Sequence, residues 1–278
     1  MFAIPKFIRE ILDTLHINGF EAYVVGGAVR DMLLGKNPSD FDITTSCPPE
    51  ITATLFKETI NTGIKHGTVT VVTKCGNVEV TTYRRDKSYK NHRKPNSVDF
   101  ISNLYEDLKR RDFTINAFAL SKSGEIIDNF DGSADLNNKI IRAVGIPSER
   151  FCEDALRILR AFRFSSRLNF DIEPTTLKAA LDNAHLLSTL SAERIFSELK
   201  QILLSDFPEK IEPLINNGGL KHLSINFVEG LSVLKNSIFF FASLKKAFIK
   251  KITSNCNFLS KIIDLFTCII TQFILLFK

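Results

Sequence analysis

Strand-like, β-branched runs in this chain end near Ser102, and the pattern from about Glu106 onward is mostly helical. Strands gathered ahead of helices make an α+β head followed by a helical portion. The chain opens on a helix, with Phe7, Ile8, Ile11, Leu12 and Leu15 at helical spacing and Asn18-Gly19 closing it. Ala22 to Val25 reads as a short buried strand entering Gly26-Gly27, and Val29 to Leu34 as a helix stopped by Gly35. Thr68 to Thr73 and Asn77 to Arg84 pair as a hairpin through Lys74-Cys75-Gly76, and Val98 to Ser102 adds a further strand.

With 44% hydrophobic and 24% charged residues the chain has ordinary globular usage, which excludes global disorder and a fibrous repeat. A formal net charge of +5 is too small to name a partner, so its distribution decides. Arg84 to Arg111 holds nine Lys or Arg against four acids, with Tyr89 and His92 interleaved. That pattern fits a nucleic-acid contact or a solvated loop. Five scattered cysteines without a Cys-x-x-Cys pair point away from zinc and toward a reducing cytoplasm. Pro5, Lys6, Arg9, Glu10 and Asp13 interrupt any export signal. The charge-free run Leu265 to Phe277 is shorter than the roughly 20 residues a membrane-spanning helix needs, so no membrane association is expected. Leu231 to Lys278, rich in Phe and Lys, reads as helices packing through Phe and Ile.

The chemistry-bearing residues form several groups. Asp40-Phe41-Asp42 puts two carboxylates at alternate positions, which on a strand share one face and suit Mg²⁺. It follows Gly26-Gly27-x-x-Arg30-Asp31, where glycine lets backbone N–H groups approach a phosphate and Arg30 supplies a cation. A plain strand-to-helix turn with a surface Arg30-Asp31 ion pair is the competing reading. Glu79, between Val78 and Val80, is either a third carboxylate on the Asp40 and Asp42 face or a solvent-facing residue. His66, in Gly63-x-x-His66-Gly67, reads as an exposed turn residue, with a substrate role as the alternative.

In Arg110-Arg111-Asp112-Phe113-Thr114-Ile115-Asn116, Asp112 and Asn116 share a face if the segment is helical, and with Arg111 they suit a ribose and its phosphate. The competing reading is a helix start capped by Asp112. Along Glu153 to Leu168, read as one helix, Glu153, Asp154, Arg157 and Arg160 fall within about 120° of each other. An Asp154–Arg157 ion pair is one reading. The other is a template: an aspartate acceptor beside an arginine donor matches the edge of cytosine or adenine, whereas uracil and guanine leave groups unpaired.

These residues resemble the class II tRNA nucleotidyltransferases, the CCA-adding enzymes, and their relatives the bacterial poly(A) polymerases, within the polymerase-β nucleotidyltransferase superfamily. The motifs come in family order from about Ala22 to Leu204: Gly26 to Asp31 with Asp40-x-Asp42, Arg110 to Ala117, Asp128 to Leu136, Glu153-Asp154-x-x-Arg157, and Ser191 to Ile195. The resemblance implies a polymerase-β-like head with a five-stranded mixed sheet over 1–143, an all-helical neck over 144–206 that reads the incoming base, and a shortened or atypical helical body over 207–278. It implies Asp40 and Asp42 as ligands of two Mg²⁺ ions, with Glu79 beside them as a catalytic carboxylate. Gly26, Gly27 and Arg30 would hold the triphosphate, and Arg111, Asp112 and Asn116 the sugar. Asp154 and Arg157 would select the base, and Arg160 and Arg163 complete the nucleotide-binding set. Gly132-Ser133 would flex, and Glu193 and Arg194 would brace the neck.

The implied activity is addition of C, C and A to a tRNA 3′ end from CTP and ATP, with release of pyrophosphate. Gly63-Ile64-Lys65-His66-Gly67-Thr68 lacks the Gly-basic-basic-Phe signature of the poly(A) polymerases, which favours tRNA. A full-length loop over Asp86 to Pro95, which CC-adding members shorten, favours A addition as well. An A-adding specialist, a poly(A) polymerase, and a truncated relative that only binds tRNA or nucleotide are the alternatives. After about Ile225 the resemblance stops, which leaves Lys245, Lys246, Lys250 and Lys251 as the expected phosphate contacts there.

Overall fold

The computed structural model describes residues 4–86 and 98–220. The opening helix α1 (Lys6–Ile17) buries Ile8, Ile11, Leu12 and Leu15, the stripe its periodicity predicts. They pack with Val24, Ile43 and Val80 of the sheet in one core. Next come β1 (Ala22–Val25), α2 (Gly27–Leu33), β2 (Asp42–Thr45), α3 (Pro49–Leu55), β3 (Thr59–Gly63), β4 (Thr68–Thr73) and β5 (Gly76–Thr82). After them follow β6 (Arg84–Asp86), β7 (Val98–Phe100), α4 (Leu104–Lys109), β8 (Phe118–Leu120) and β9 (Ile126–Asp128).

The main sheet runs in the order β3-β4-β5-β2-β1-β8-β9. Only its β2–β5 pairing is parallel, so the sheet is mixed as expected. It has seven strands rather than five. Two of them, β8 and β9, lie beyond Glu106, where the sequence reads as helical. Phe118, Ala119 and Leu120 are all buried, so β8 lacks the alternation that marks a half-buried strand. β6 and β7 pair only with each other; the strand read from Asn77 to Arg84 is broken at Tyr83, which is fully buried.

The remainder contains α5 (Gly132–Asn137), β10 (Ile140–Ile141), α6 (Pro147–Glu153), α7 (Leu156–Leu168), β11 (Asp171–Ile172), α8 (Pro174–Asp182), α9 (Ala192–Leu203) and α10 (Glu212–Asn216). β11 pairs in parallel with β10, so the portion expected to be all-helical carries one short strand. Two residues are too few for any period to register in the sequence. The helices share a core centred on Phe151, Ile158, Phe162 and Leu199. A further cluster joins them to the head: Phe113 and Ile115 pack with Ala161 and Phe164 of α7. Through that cluster α7 is seated against the segment Arg110 to Asn116.

Among the described residues no helix is long and apolar enough to cross a membrane. Most of the Asp86 to Pro95 loop, and all of Leu231 to Lys278 with its lysines and its apolar run, lie outside the described residues.

Candidate active site

Gly26 leaves β1 at φ 71° and ψ −132°, a left-handed-side conformation that glycine adopts without steric cost. A Cβ there would also come 3.0 Å from Arg111 Nη1. The turn therefore stays open to an approaching guanidinium. Gly27 begins α2, with the Arg30 guanidinium 3.5 Å from where its Cβ would stand. Arg30 is only 4% exposed, which corrects the reading of Arg30-Asp31 as a surface pair. Its Nε and Nη2 donate to Asp31 Oδ1 at 2.9 and 2.7 Å, and its Nη1 donates to Asn116 Oδ1 at 2.7 Å. Packing of α2 against the Thr114 to Asn116 turn buries the pair, a contact across 86 positions that spacing does not carry.

Asp42 opens β2, opposite Val25 on β1 and Glu79 on β5. Asp40 precedes the strand, beside Ser39 Oγ, which donates to its Oδ2 at 2.8 Å. The two carboxylates are thus not alternate residues of one strand: pairing with β1 stops at Val25 because the chain turns away at Gly26. Asp42 reaches solvent, yet the surrounding protein strips enough water from its carboxyl to raise its pKa. Glu79 and Asp40 push it further up, and Arg111 pulls it down. Glu79 and Asp40 add like charge here and, among the described residues, Arg111 offsets it. Among the described residues, no three His, Cys, Asp or Glu side chains converge as a ready-made metal cage. Glu79 lies on the Asp42 face by register and acts on it through charge.

The segment Arg110 to Asn116 is not one helix, contrary to the helical reading. α4 ends at Lys109, the chain extends through Phe113, and Thr114–Asn116 form a 3₁₀ turn. Arg142 explains the extension, since its carbonyl accepts from Thr114 N at 2.9 Å while Phe113 bridges Ala143. The bend still brings Asn116 Nδ2 to 3.1 Å from Asp112 Oδ1. Three consecutive residues then face three parts of the site. The Arg110 carbonyl accepts from Arg157 Nη2 at 2.8 Å. Arg111 lies between the glycine turn and Asp42, its pKa lowered by burial and held up by Asp107 and Asp42. Asp112 Oδ2 accepts from Arg160 Nε at 2.7 Å. The buried Nε of Arg111 has no hydrogen-bond partner among the described residues.

The helix read from Glu153 to Leu168 is broken. α6 ends at Glu153, and Asp154 is extended at φ −138° and ψ 105°, its Oδ1 accepting from Leu156 N at 3.1 Å at the start of α7. Asp154 competes with the helix as an N-cap residue does. The shared arc therefore does not hold for Glu153 and Asp154. Asp154 and Arg157 also take partners other than each other: Arg194 Nη2 is 3.0 Å from Asp154 Oδ2, and Arg157 Nη1 is 2.7 Å from Glu153 Oε2. Arg163 Nε lies 2.9 Å from Glu198 Oε2. Arg194 braces the break as expected, while Glu193 points to solvent. Gly132 and Ser133 donate to the Asp128 carboxylate at 2.9 and 2.8 Å. His66 is half-buried in a 3₁₀ turn, its carbonyl accepting from Arg84.

Asp107 is a residue the sequence does not reveal. It is fully buried, accepts from Arg110 Nη2 at 2.7 Å and from Thr44 Oγ1 at 3.0 Å, and lies 3.7 Å from Arg111. It thereby ties the Arg110-Arg111 segment to β2, which carries Asp42. Its spacing from Arg110 and Arg111 resembles an ordinary helix-surface ion pair, so burial alone distinguishes it.

The family described as the poly A polymerase head domain matches residues 22–142, and the one described as the probable RNA and SrmB-binding site of polymerase A matches residues 169–224. A CCA-adding enzyme of Streptococcus suis is 52% identical over 210 residues, covering 74% of this chain and 52% of that protein. The crystal structure of the Bacillus stearothermophilus CCA-adding enzyme in complex with CTP is similar at a TM-score of 0.74 and 44% identity, over 80% of this chain and 54% of that one. A Thermotoga maritima CCA-adding enzyme complexed with tRNA is similar at a TM-score of 0.68 and 28% identity, over 86% and 59%. The chain spans about half the length of the curated relatives it matches.

Proposed function

Because the chain belongs to the family of class II tRNA nucleotidyltransferases, the CCA-adding enzymes, and bacterial poly(A) polymerases, we propose that it adds C, C and A to the 3′ end of tRNA from CTP and ATP. The single observation that carries this reading is the run Arg110-Arg111-Asp112. It joins the glycine turn and Asp42 on one side to Arg157 and Arg160 on the other. Binding alone does not require two neighbouring carboxylates, Asp40 and Asp42, beside a glycine turn lined by Arg30 and Arg111.

In this reading the head spans 1–143, the neck 144–206 and the helical body 207–278. Gly26 and Gly27 present backbone at the triphosphate, where Arg30 and the unspent Nε of Arg111 balance its charge. Asp112 and Asn116, already joined, meet the ribose. Asp154 accepts from the amino group of cytosine or adenine through lone pairs left over from Arg194 and Leu156 N, and Arg157 donates to the neighbouring ring nitrogen with an N–H not taken by Glu153, Arg150 or Arg110. Arg160 and Arg163, farther along α7, complete the nucleotide-binding set on the side of Arg157. Asp40 and Asp42, with Glu79 beside them, would hold Mg²⁺; their mutual repulsion is what a hard divalent cation relieves. When bound, such ions activate the attacking hydroxyl and stabilise the charge on the departing pyrophosphate. The scattered cysteines support a cytoplasmic setting.

The test is incorporation of radiolabelled CTP and ATP on tRNA lacking its terminal CCA, run beside Asp40→Ala. C and A incorporation that disappears in the variant is expected. Activity indifferent to Asp40→Ala ends the catalytic reading, and A addition to any RNA moves it to a poly(A) polymerase.

A further inference from the structure

Phe164, on α7, is 6% exposed and packs with Phe113, Ile115 and Ala161 where the helices meet the head. Its surroundings are unusual for a core aromatic. The guanidinium carbons of Arg30, Arg160 and Arg163 stand 5.2, 5.3 and 4.6 Å from its ring centroid. All are within the range of roughly 6 Å at which a ring quadrupole attracts a cation. Three like charges around one ring repel, and each is held by its own carboxylate: Asp31, Asp112 and Glu198. Arg30 belongs to α2 and the others to α7, so the ring is in contact with cations from both halves of the site. It also makes a T-shaped contact with Phe113, the residue after Asp112, with ring centroids 5.8 Å apart and an interplanar angle of 80°.

We propose that Phe164 is a positioning residue that sets the phosphate-side Arg30 against the base-side Arg160 and Arg163, so that nucleotide affinity depends on the electron density of its ring. The inference rests on the nucleotide-binding reading above. Arginine side chains serving only the fold would keep their carboxylates and place their hydrated heads toward water. Here burial and a shared ring hold them in one register. An electron-poor ring of the same shape loosens that register without opening a cavity.

The experiment places 3,5-difluoro- and 3,4,5-trifluorophenylalanine at position 164 of the full chain and measures equilibrium binding of CTP and of ATP beside melting temperature. Affinity for both nucleotides is expected to fall stepwise with fluorination, by roughly tenfold at three fluorines, with the melting temperature held. Phe164→Leu, which stays apolar but removes the ring, loses affinity to at least the same degree. Unchanged affinity across the series, in a chain that binds CTP normally, overturns the proposal. So does a loss that merely tracks a falling melting temperature. If the unaltered chain binds neither nucleotide, the functional reading falls, and this inference falls with it.

Discussion

Arg194 Nη2 lies 3.0 Å from Asp154 Oδ2, tying the break between α6 and α7 to the first turn of α9. Arg194→Ala leaves the proposed base acceptor without its brace. Incorporation of UTP relative to CTP should rise about tenfold, the equivalent of about 1.4 kcal/mol of lost discrimination. The partly exposed pair contributes only about 1 kcal/mol to stability, so the melting temperature should move little. Competition assays with the two nucleotides check this; unchanged selectivity removes Asp154 from base choice.

Asp112 carries a pH dependence. Burial raises its carboxyl pKa, but Arg160 and Asn116 outweigh burial and hold it at about 2, against an ordinary 3.8. The folded value is the lower one. The stabilisation is therefore complete above the unfolded pKa and is lost as pH falls through the folded pKa, between about pH 4 and 2. Roughly 2 kcal/mol should disappear over that window. Urea unfolding followed as pH is lowered measures it, and Asp112→Asn should flatten that part of the curve.

Two glycines should fail differently. A Cβ on Gly132 would stand 2.4 Å from the Thr114 carbonyl oxygen and 2.8 Å from the Phe118 ring; neither can yield easily, and Gly132→Ala should cost about 1–3 kcal/mol of stability. On Gly26 the near atom is the guanidinium end of Arg111, and φ 71° with ψ −132° is a conformation open in practice only to glycine, worth about 1–3 kcal/mol of strain with any other residue. Gly26→Ala should therefore lose far more activity than its unfolding free energy accounts for. Denaturation and nucleotide incorporation measured on both variants separate the cases.

Metal binding is open to direct measurement. Asp42→Asn and Asp40→Asn should each weaken Mn²⁺ binding, read by water-proton relaxation, by more than about tenfold, and Glu79→Gln by less. Without metal, Asp42→Asn should match or exceed the parent in stability, because burial first, and then Glu79 and Asp40, oppose the Asp42 charge more than Arg111 supports it. A less stable metal-free variant would contradict the repulsion inferred here.

Periodic and turn-bound features were readable from the residues alone. The α1 stripe, the Gly26 turn and the β4–β5 hairpin follow from patterns a few residues long, where local sterics and solvent partition dominate, whereas the candidate set from Gly26 to Arg163 rests on motifs read together with a family resemblance. Contacts between distant segments settled the rest. Pairing that ends at Val25 leaves Asp40 outside β2, an extended Asp154 whose carboxylate accepts from Leu156 N splits an apparently continuous helix, and burial makes Arg30 and Asp107 interior charges and Phe164 a core ring. The reason is physical: periodicity records which face meets water, whereas the partner of a buried charge is chosen by desolvation, once the chain has brought together groups as far apart as Arg30 and Asn116.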